Sequence, residues 1–255
     1  MLTLIAAVRR RPGMTHRAFV HHLHHVHGPL AAAKPLGVRR YVQNHVFDAS
    51  FGTEGDAAHL TEFGRDAVTE LQFDDQDALA ATMSDPYTRE VIGPDGAHFN
   101  DMTSAVALLT RPAAVTPPPP PSPSPSPPES DGRVKVLHFL SRAEGVSLDH
   151  FTERSLGAHA TALSRDEPHT KAVRAHVQHV RAPGAEQALR HFGGRDRHAY
   201  EGITALYYDS ADEALTHFPA YERALREPSA EGGRFYDPSR SFALYCREVT
   251  IFEQP

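Results

Sequence analysis

The chain repeats itself. Residues 19–30 read Phe-Val-His-His-Leu-His-His-Val-His-Gly-Pro-Leu, and an ungapped shift of 132 positions lays Phe19 on Phe151 and His27 on His159. Val38-Arg39 and Val42-Gln43 recur as Val173-Arg174 and Val177-Gln178 at an offset of 135, and Phe99-Asn100-Asp101 recurs as Phe235-Tyr236-Asp237 at 136. A drift of a few positions over such a distance means that the same elements return in the same order. The 255 residues therefore hold two copies of one unit, each of ordinary domain size at about 100–150 residues.

Between the copies, Pro117 to Pro121 form an unbroken run that passes into Ser-Pro alternation up to Pro128. Proline runs favour extended polyproline II at ~3.1 Å per residue, so a spacer over residues 112–132 reaches on the order of 50 Å. The expected division is 1–111, spacer 112–132, and 133–255.

In the first copy, residues 3–9 predict a strand, Pro12-Gly13 a turn, and Thr15 the N-cap of a helix with the apolar stripe Phe19, Leu23, Val26 and Leu30. Strands follow at 38–46 and 66–73, with a long loop over 48–65; a helix at 75–83 and a strand at 105–110 complete the unit. The second copy offers 133–141, 147–163, 173–180, 200–209, 211–218 and 242–252. The order β-α-β-β-α-β, twice, predicts an α+β protein built from two tandem ferredoxin-like units, each with two helices on one face of an antiparallel sheet. The bare faces need cover. The expected solution is an intramolecular barrel, with the two units packed sheet to sheet, in a monomer.

A formal net charge of -6 argues against a nucleic acid or an anionic membrane as partner. No apolar run approaches the ~20 residues that span a bilayer, and the first residues lack the pattern of a secretory signal. A cytoplasmic location is expected. One cysteine, Cys246, excludes a disulfide framework and reads as core.

The 18 histidines are the unusual feature. His21, His22, His24, His25 and His27 contain metal-gripping spacings, but the second copy has Glu153, Arg154, Leu156 and Gly157 at the first four of these positions, and no metal is expected. His27 lies at the edge of the apolar stripe, where an imidazole can shuttle protons or simply bond a backbone carbonyl at the Gly-Pro kink. Tyr41, Gln43 and His45 alternate along one strand and share a face, which is expected to point into the cavity if the valines pack on the helices. Their counterparts are His176, Gln178 and Val180.

These residues resemble a known family. Arg10-Arg11-Pro12-Gly13-Met14-Thr15, the helix with Phe19 and His27-Gly28-Pro29-Leu30, the strand Arg40-Tyr41-Val42-Gln43-Asn44-His45, and the stretch from Asp74 to Asp101 are similar to an EthD domain. In the second copy Tyr200-Glu201-Gly202-Ile203 and Phe235-Tyr236-Asp237 resemble the family's strand entry and tail. The resemblance implies the dimeric α+β barrel superfamily, which includes polyketide cyclases, anthrone-type oxygenases, lactone isomerases and pigment dehydratases that use no cofactor, alongside haem-handling relatives. Gly93-Pro94-Asp95-Gly96 resembles the Gly-x-x-Asp-Gly of dye-decolourising peroxidases but is one residue short, so no cofactor is expected. The second copy departs from the pattern, with Ala160-Thr161 in place of Gly28-Pro29 and His176-Val177-Gln178-His179 in place of Tyr41-Val42-Gln43-Asn44.

The expected function is proton-transfer chemistry, such as cyclisation, dehydration or isomerisation, on an aromatic or polyketide-like small molecule held between the sheets. His27, His45 and Tyr41 are the candidate catalytic residues, with Gln43, Asn44, His159, His176 and Gln178 as substrate contacts. The alternatives are cofactor-free oxygenation of a phenol and non-catalytic binding of an apolar ligand.

Overall fold

A computed structural model of the chain describes residues 1–51, 64–116, 132–182, 200–226 and 233–254. The first copy supplies β1 (Leu2–Val8), α1 (His16–His22), a π-helical turn (Leu23–His27), α2 (Gly28–Ala33), β2 (Val38–Phe51) and β3 (Ala67–Phe73). It continues with α3 (Gln76–Ser84), a second π-helical turn (Thr88–Ile92), α4 (Gly93–Phe99) and β4 (Val106–Thr116). The second copy supplies β5 (Val134–Ser141), α5 (Leu148–Ser164), α6 (Pro168–Lys171), β6 (Ala175–Arg181), β7 (Tyr200–Tyr208), α7 (Ala211–Arg226) and β8 (Phe242–Glu253).

The eight strands close into one barrel in the order β1-β3-β2-β8-β5-β7-β6-β4, with every pairing antiparallel. Each copy fills four consecutive places in the ring. The sequence predicted two sheets packed on their faces; the structure also pairs them along both edges. β2 runs against β8 from Arg40–Glu253 to Phe51–Phe242, and β4 runs against β6 from Thr110–Arg181 to Thr116–His176. Closure satisfies the edge N–H and C=O groups that an open sheet leaves unpaired.

Side chains that alternate inward fill the barrel. Ile5, Ala7, Val46, Val68, Leu108, Leu137, Ile203, Leu244 and Cys246 form its apolar core, with Phe139 stacked on Phe242 at 4.7 Å. Beside this core lies a charged network. Lys135 Nζ donates to Glu70 Oε1 at 2.5 Å and Glu248 Oε2 at 2.7 Å, while Asn44 Nδ2 donates to Glu70 Oε1 at 2.7 Å. Burial opposes the charge on Lys135, but Glu248 and Glu70 outweigh it and hold the ammonium well above its ordinary pKa. The outward faces pack on the helices, through Tyr41, Phe73 and Leu79 or Phe19, Leu23 and Phe99 in the first copy, and through Phe151, Phe218 and Tyr221 in the second.

The elements differ from expectation in several places, among them β2, which runs on to Phe51 into the loop expected from residue 48. β4 continues through Pro112 to Thr116, so the start of the expected spacer is strand, with an irregularity between Pro112 and Ala114 where proline interrupts the ladder. Residues 117–131 of that spacer lie outside the described residues, as do residues 52–63 of the loop predicted over 48–65. The second π turn and α4 were not foreseen. α7 runs on to Arg226, past Pro219.

Candidate active site

The expectation for the Tyr41 face is overturned. Tyr41, Gln43 and His45 point at the helices, and Asn44 with Val42 and Val46 points into the barrel. The alternation was right and the choice of face wrong. Asn44 is spent on Val68 O and Glu70 inside the barrel. The space between the sheets, expected to hold substrate, is occupied by side chains.

On the helix side, Gln43 is the hub. Its Nε2 donates to Leu23 O at 2.8 Å and to the Tyr41 hydroxyl at 3.0 Å, and its Oε1 lies 3.1 Å from His45 Nε2. Tyr41 is buried, which raises its phenol well above the usual range, and its hydroxyl is engaged by Gln43. Burial, together with His24, His16 and His25, lowers His45 to about 4 and keeps it neutral at ordinary pH.

Leu23 O also accepts the N–H of Gly28, five residues on. That bond defines the π turn, which inserts one residue into the helical phase. Pro29, without an N–H, cannot make the bond that a regular helix would require of it. The second π turn ends the same way, with Gly93 N–H on Thr88 O just before Pro94. In α5, which lacks Gly-Pro, the residues turned inward are Phe151, Ser155, His159 and Ala162 at regular helical spacing. In the first copy they are Phe19, Leu23 and Gly28.

The inserted residue therefore gives the inward slot of His159 to Gly28 and turns His27 onto the flank. Gly28 fits because a Cβ there would stand 3.3 Å from both Gln43 Nε2 and Ile251 Cδ1. Val26, predicted in the stripe, is 38% exposed for the same reason.

On the flank His27 meets α4. Its Nδ1 lies 2.8 Å from Asp95 Oδ2, and His22 Nε2 lies 2.9 Å from Asp95 Oδ1. Side-chain exposure is 15% for His27, 13% for Asp95 and 26% for His22. Phe99 backs the group, its ring 5.3 Å from His27 and 4.7 Å from His22. Burial lowers the His27 pKa against the opposing pull of Asp95, whereas the two imidazoles keep Asp95 below the usual carboxylate range although burial opposes them. A carboxylate on Nδ1 selects the tautomer that leaves the Nε2 lone pair free. Nε2 takes no hydrogen bond among the described residues. The arrangement has the orientation that a general base requires.

The expected contacts of the second copy do not assemble this way. His159 is fully buried, with Nδ1 2.5 Å from the Tyr221 hydroxyl and Nε2 3.0 Å from Thr204 Oγ1, so both nitrogens are engaged. Gln178 repeats the role of Gln43 by donating to Ser155 O at 3.3 Å. His176 is half-buried, with its pKa lowered by that burial, and joins neither group. Asp95 and His22 are the residues that sequence reasoning missed. The available signal was the Gly93-Pro94 copy of Gly28-Pro29 beside an aspartate.

Among the described residues, no group of three or more His, Cys, Asp or Glu side chains is placed to hold a metal ion, and no helix is long and apolar enough to cross a membrane. The Cys246 thiol is buried and pushed far up by that burial.

The fold and this flank define a class: closed eight-stranded α+β barrels with helices outside and a candidate histidine base between two of those helices. The profile of the EthD domain matches residues 11–103 and 143–239, and the chain belongs to the EthD domain family. No curated protein sequence matches it. Among solved structures, an anthrone oxidase-like protein is similar at 12% identity and a TM-score of 0.52 over 100% of this chain and 94% of the other. A candidate monooxygenase of Fusobacterium nucleatum subsp. nucleatum is similar at 8% identity and a TM-score of 0.52 over 99% and 94%. Likeness at such identity is likeness of fold.

Proposed function

We propose that this chain is a small-molecule enzyme in which His27 Nε2 acts as general base on an electron-rich aromatic substrate, a phenol or an anthrone, that then reacts with O2. Each copy is read as a ferredoxin-like unit, and the first carries the site. The single observation behind this reading is the His27–Asp95 pair, with Nδ1 on the carboxylate and Nε2 free. A base of this kind removes a proton from the substrate and leaves an electron-rich anion, which needs no protein-bound group to reduce O2. For anthrone the balance is anthrone plus O2 giving anthraquinone plus water. The names of the structural neighbours favour this oxidation over the cyclase, dehydratase and isomerase chemistry also expected from the sequence.

The test follows oxygen uptake and anthraquinone formation with anthrone as probe. Oxidation above the spontaneous rate that falls about 10²-fold or more in His27→Gln, with the melting temperature retained, supports the reading. Conversion of a related polyketide without oxygen uptake would point to the redox-neutral reaction at the same base. Equal rates in both proteins would remove His27 from the chemistry.

A further inference from the structure

The two copies build one flank from different residues. In the first, His22 of α1 turns toward Asp95; at the 132 offset the second copy has Arg154 of α5 in its place. Beside Arg154 a cavity of about 570 Å³ opens between α5, α7 and the segment that leads into β8. That volume lies within the roughly 300–1,000 Å³ of small-molecule sites.

The charge around this cavity is one-sided. Arg154, Arg165, Arg226 and Arg234 line it, and Glu153 is the one carboxylate among its described lining residues, in a chain whose formal net charge is -6. A guanidinium carries five N–H donors in a planar fork. Arg226, which meets Glu222 Oε1 at 2.7 Å, and Arg154, which donates to Gly233 O, can therefore each serve further acceptors. The wall behind them is apolar, since Leu225 and Phe235 are buried there and Phe235 packs on Phe151. Gly157 stands at the rim, on an exposed turn of α5, where a Cβ would meet nothing within 4 Å. Its backbone is helical, so the fold does not require glycine at a position where glycine weakens a helix. What glycine does there is leave the cavity open.

We infer that this cavity binds a small aromatic acid, with the carboxylate in the forks of the arginines and the ring against Leu225 and Phe235 beside Gly157. Arginine suits such a ligand twice, through paired bonds to the carboxylate and through stacking of its flat guanidinium on the ring. The site is separate from His27 and stands whether or not the proposed oxidation does.

Titration calorimetry on the full chain tests it with naphthoate as probe, against naphthalenemethanol as the uncharged body and inorganic phosphate as an anion without one. Naphthoate is expected to bind at least about 10-fold more tightly than either, because hydrogen bonds to a charged group and apolar burial act together. The double variant Arg165→Gln, Arg234→Gln should weaken naphthoate on the order of 10-fold or more, and added salt should weaken it in the wild type. Gly157→Leu places a side chain in the open rim and should abolish binding while the melting temperature holds or rises. Amide NMR shifts on adding naphthoate should centre on Gly157 and Arg234. Wild-type affinity in either variant, phosphate or the alcohol binding as tightly as naphthoate, no naphthoate binding at millimolar concentration, or shifts confined to the His27 flank would each overturn the proposal.

Discussion

His27 and His159 occupy equivalent places in the sequence repeat and opposite states in the structure. One is turned to a flank with a free nitrogen; the other is sealed between Tyr221 and Thr204. The residue types were legible, since a histidine before Gly-Pro drew notice, but the partner that orients it lies 68 residues away on an element the sequence did not suggest. Buried neutral histidines also set a pH dependence. His45, His138 and His179 are each lowered to about 4, chiefly by burial. Because the unfolded chain binds these protons near pH 6.5, stability is full above that value and falls as pH drops toward about 4, by about 1.4 kcal/mol per pH unit for each group. Thermal melts across this window should show the decline. His138 contributes through a ring packed edge-on against Phe218 and Tyr236, with neither nitrogen hydrogen-bonded among the described residues and the nearest carboxylate, Glu222 Oε1, 3.9 Å from Nε2. His138→Met should raise stability at neutral pH by about 1 kcal/mol and flatten the acid decline.

At the scale of elements, strands were read well because their β-branched and aromatic runs are short and bounded by turn residues. The face of β2 was misread because the strand is buried on both sides between residues 41 and 44, so no hydrophobic alternation marks which side meets the helices. The π turns escaped for a different reason. A one-residue change of helical phase leaves composition and periodicity almost unaltered. Close packing between α3 and the chain entering β2 depends on Gly37, whose N–H donates to Thr82 Oγ1 at 3.1 Å. A Cβ at Gly37 would stand 2.9 Å from Ala78 O and from Thr82 Oγ1. Gly37→Ala should therefore cost about 1–3 kcal/mol by forcing this backbone apart, read as a lowered denaturant midpoint with unchanged slope.

For the whole molecule, the repeat predicted that the halves would meet, but not that one charged network would join them. Glu70 and Asn44 come from the first copy, Lys135 and Glu248 from the second, and periodicity cannot pair charges so distant in the chain. Lys135→Met leaves the buried Glu70 without its cation and Glu248 with Arg40 alone and should cost about 3–5 kcal/mol in chemical denaturation, part of which Glu70→Gln recovers. With both sheet edges paired inside one chain, light scattering should report the mass of a single chain; a tight dimer that buries each half's sheet against another chain would contradict the closed ring. The π turn beside His27 bears on how such a protein diverges after duplication. Both histidines stand eight residues beyond their phenylalanine, yet the π turn that ends at Gly28 takes His27 off the inward face that His159 keeps, so the difference between the two is one of helical phase, invisible to any comparison that scores only which residue stands where.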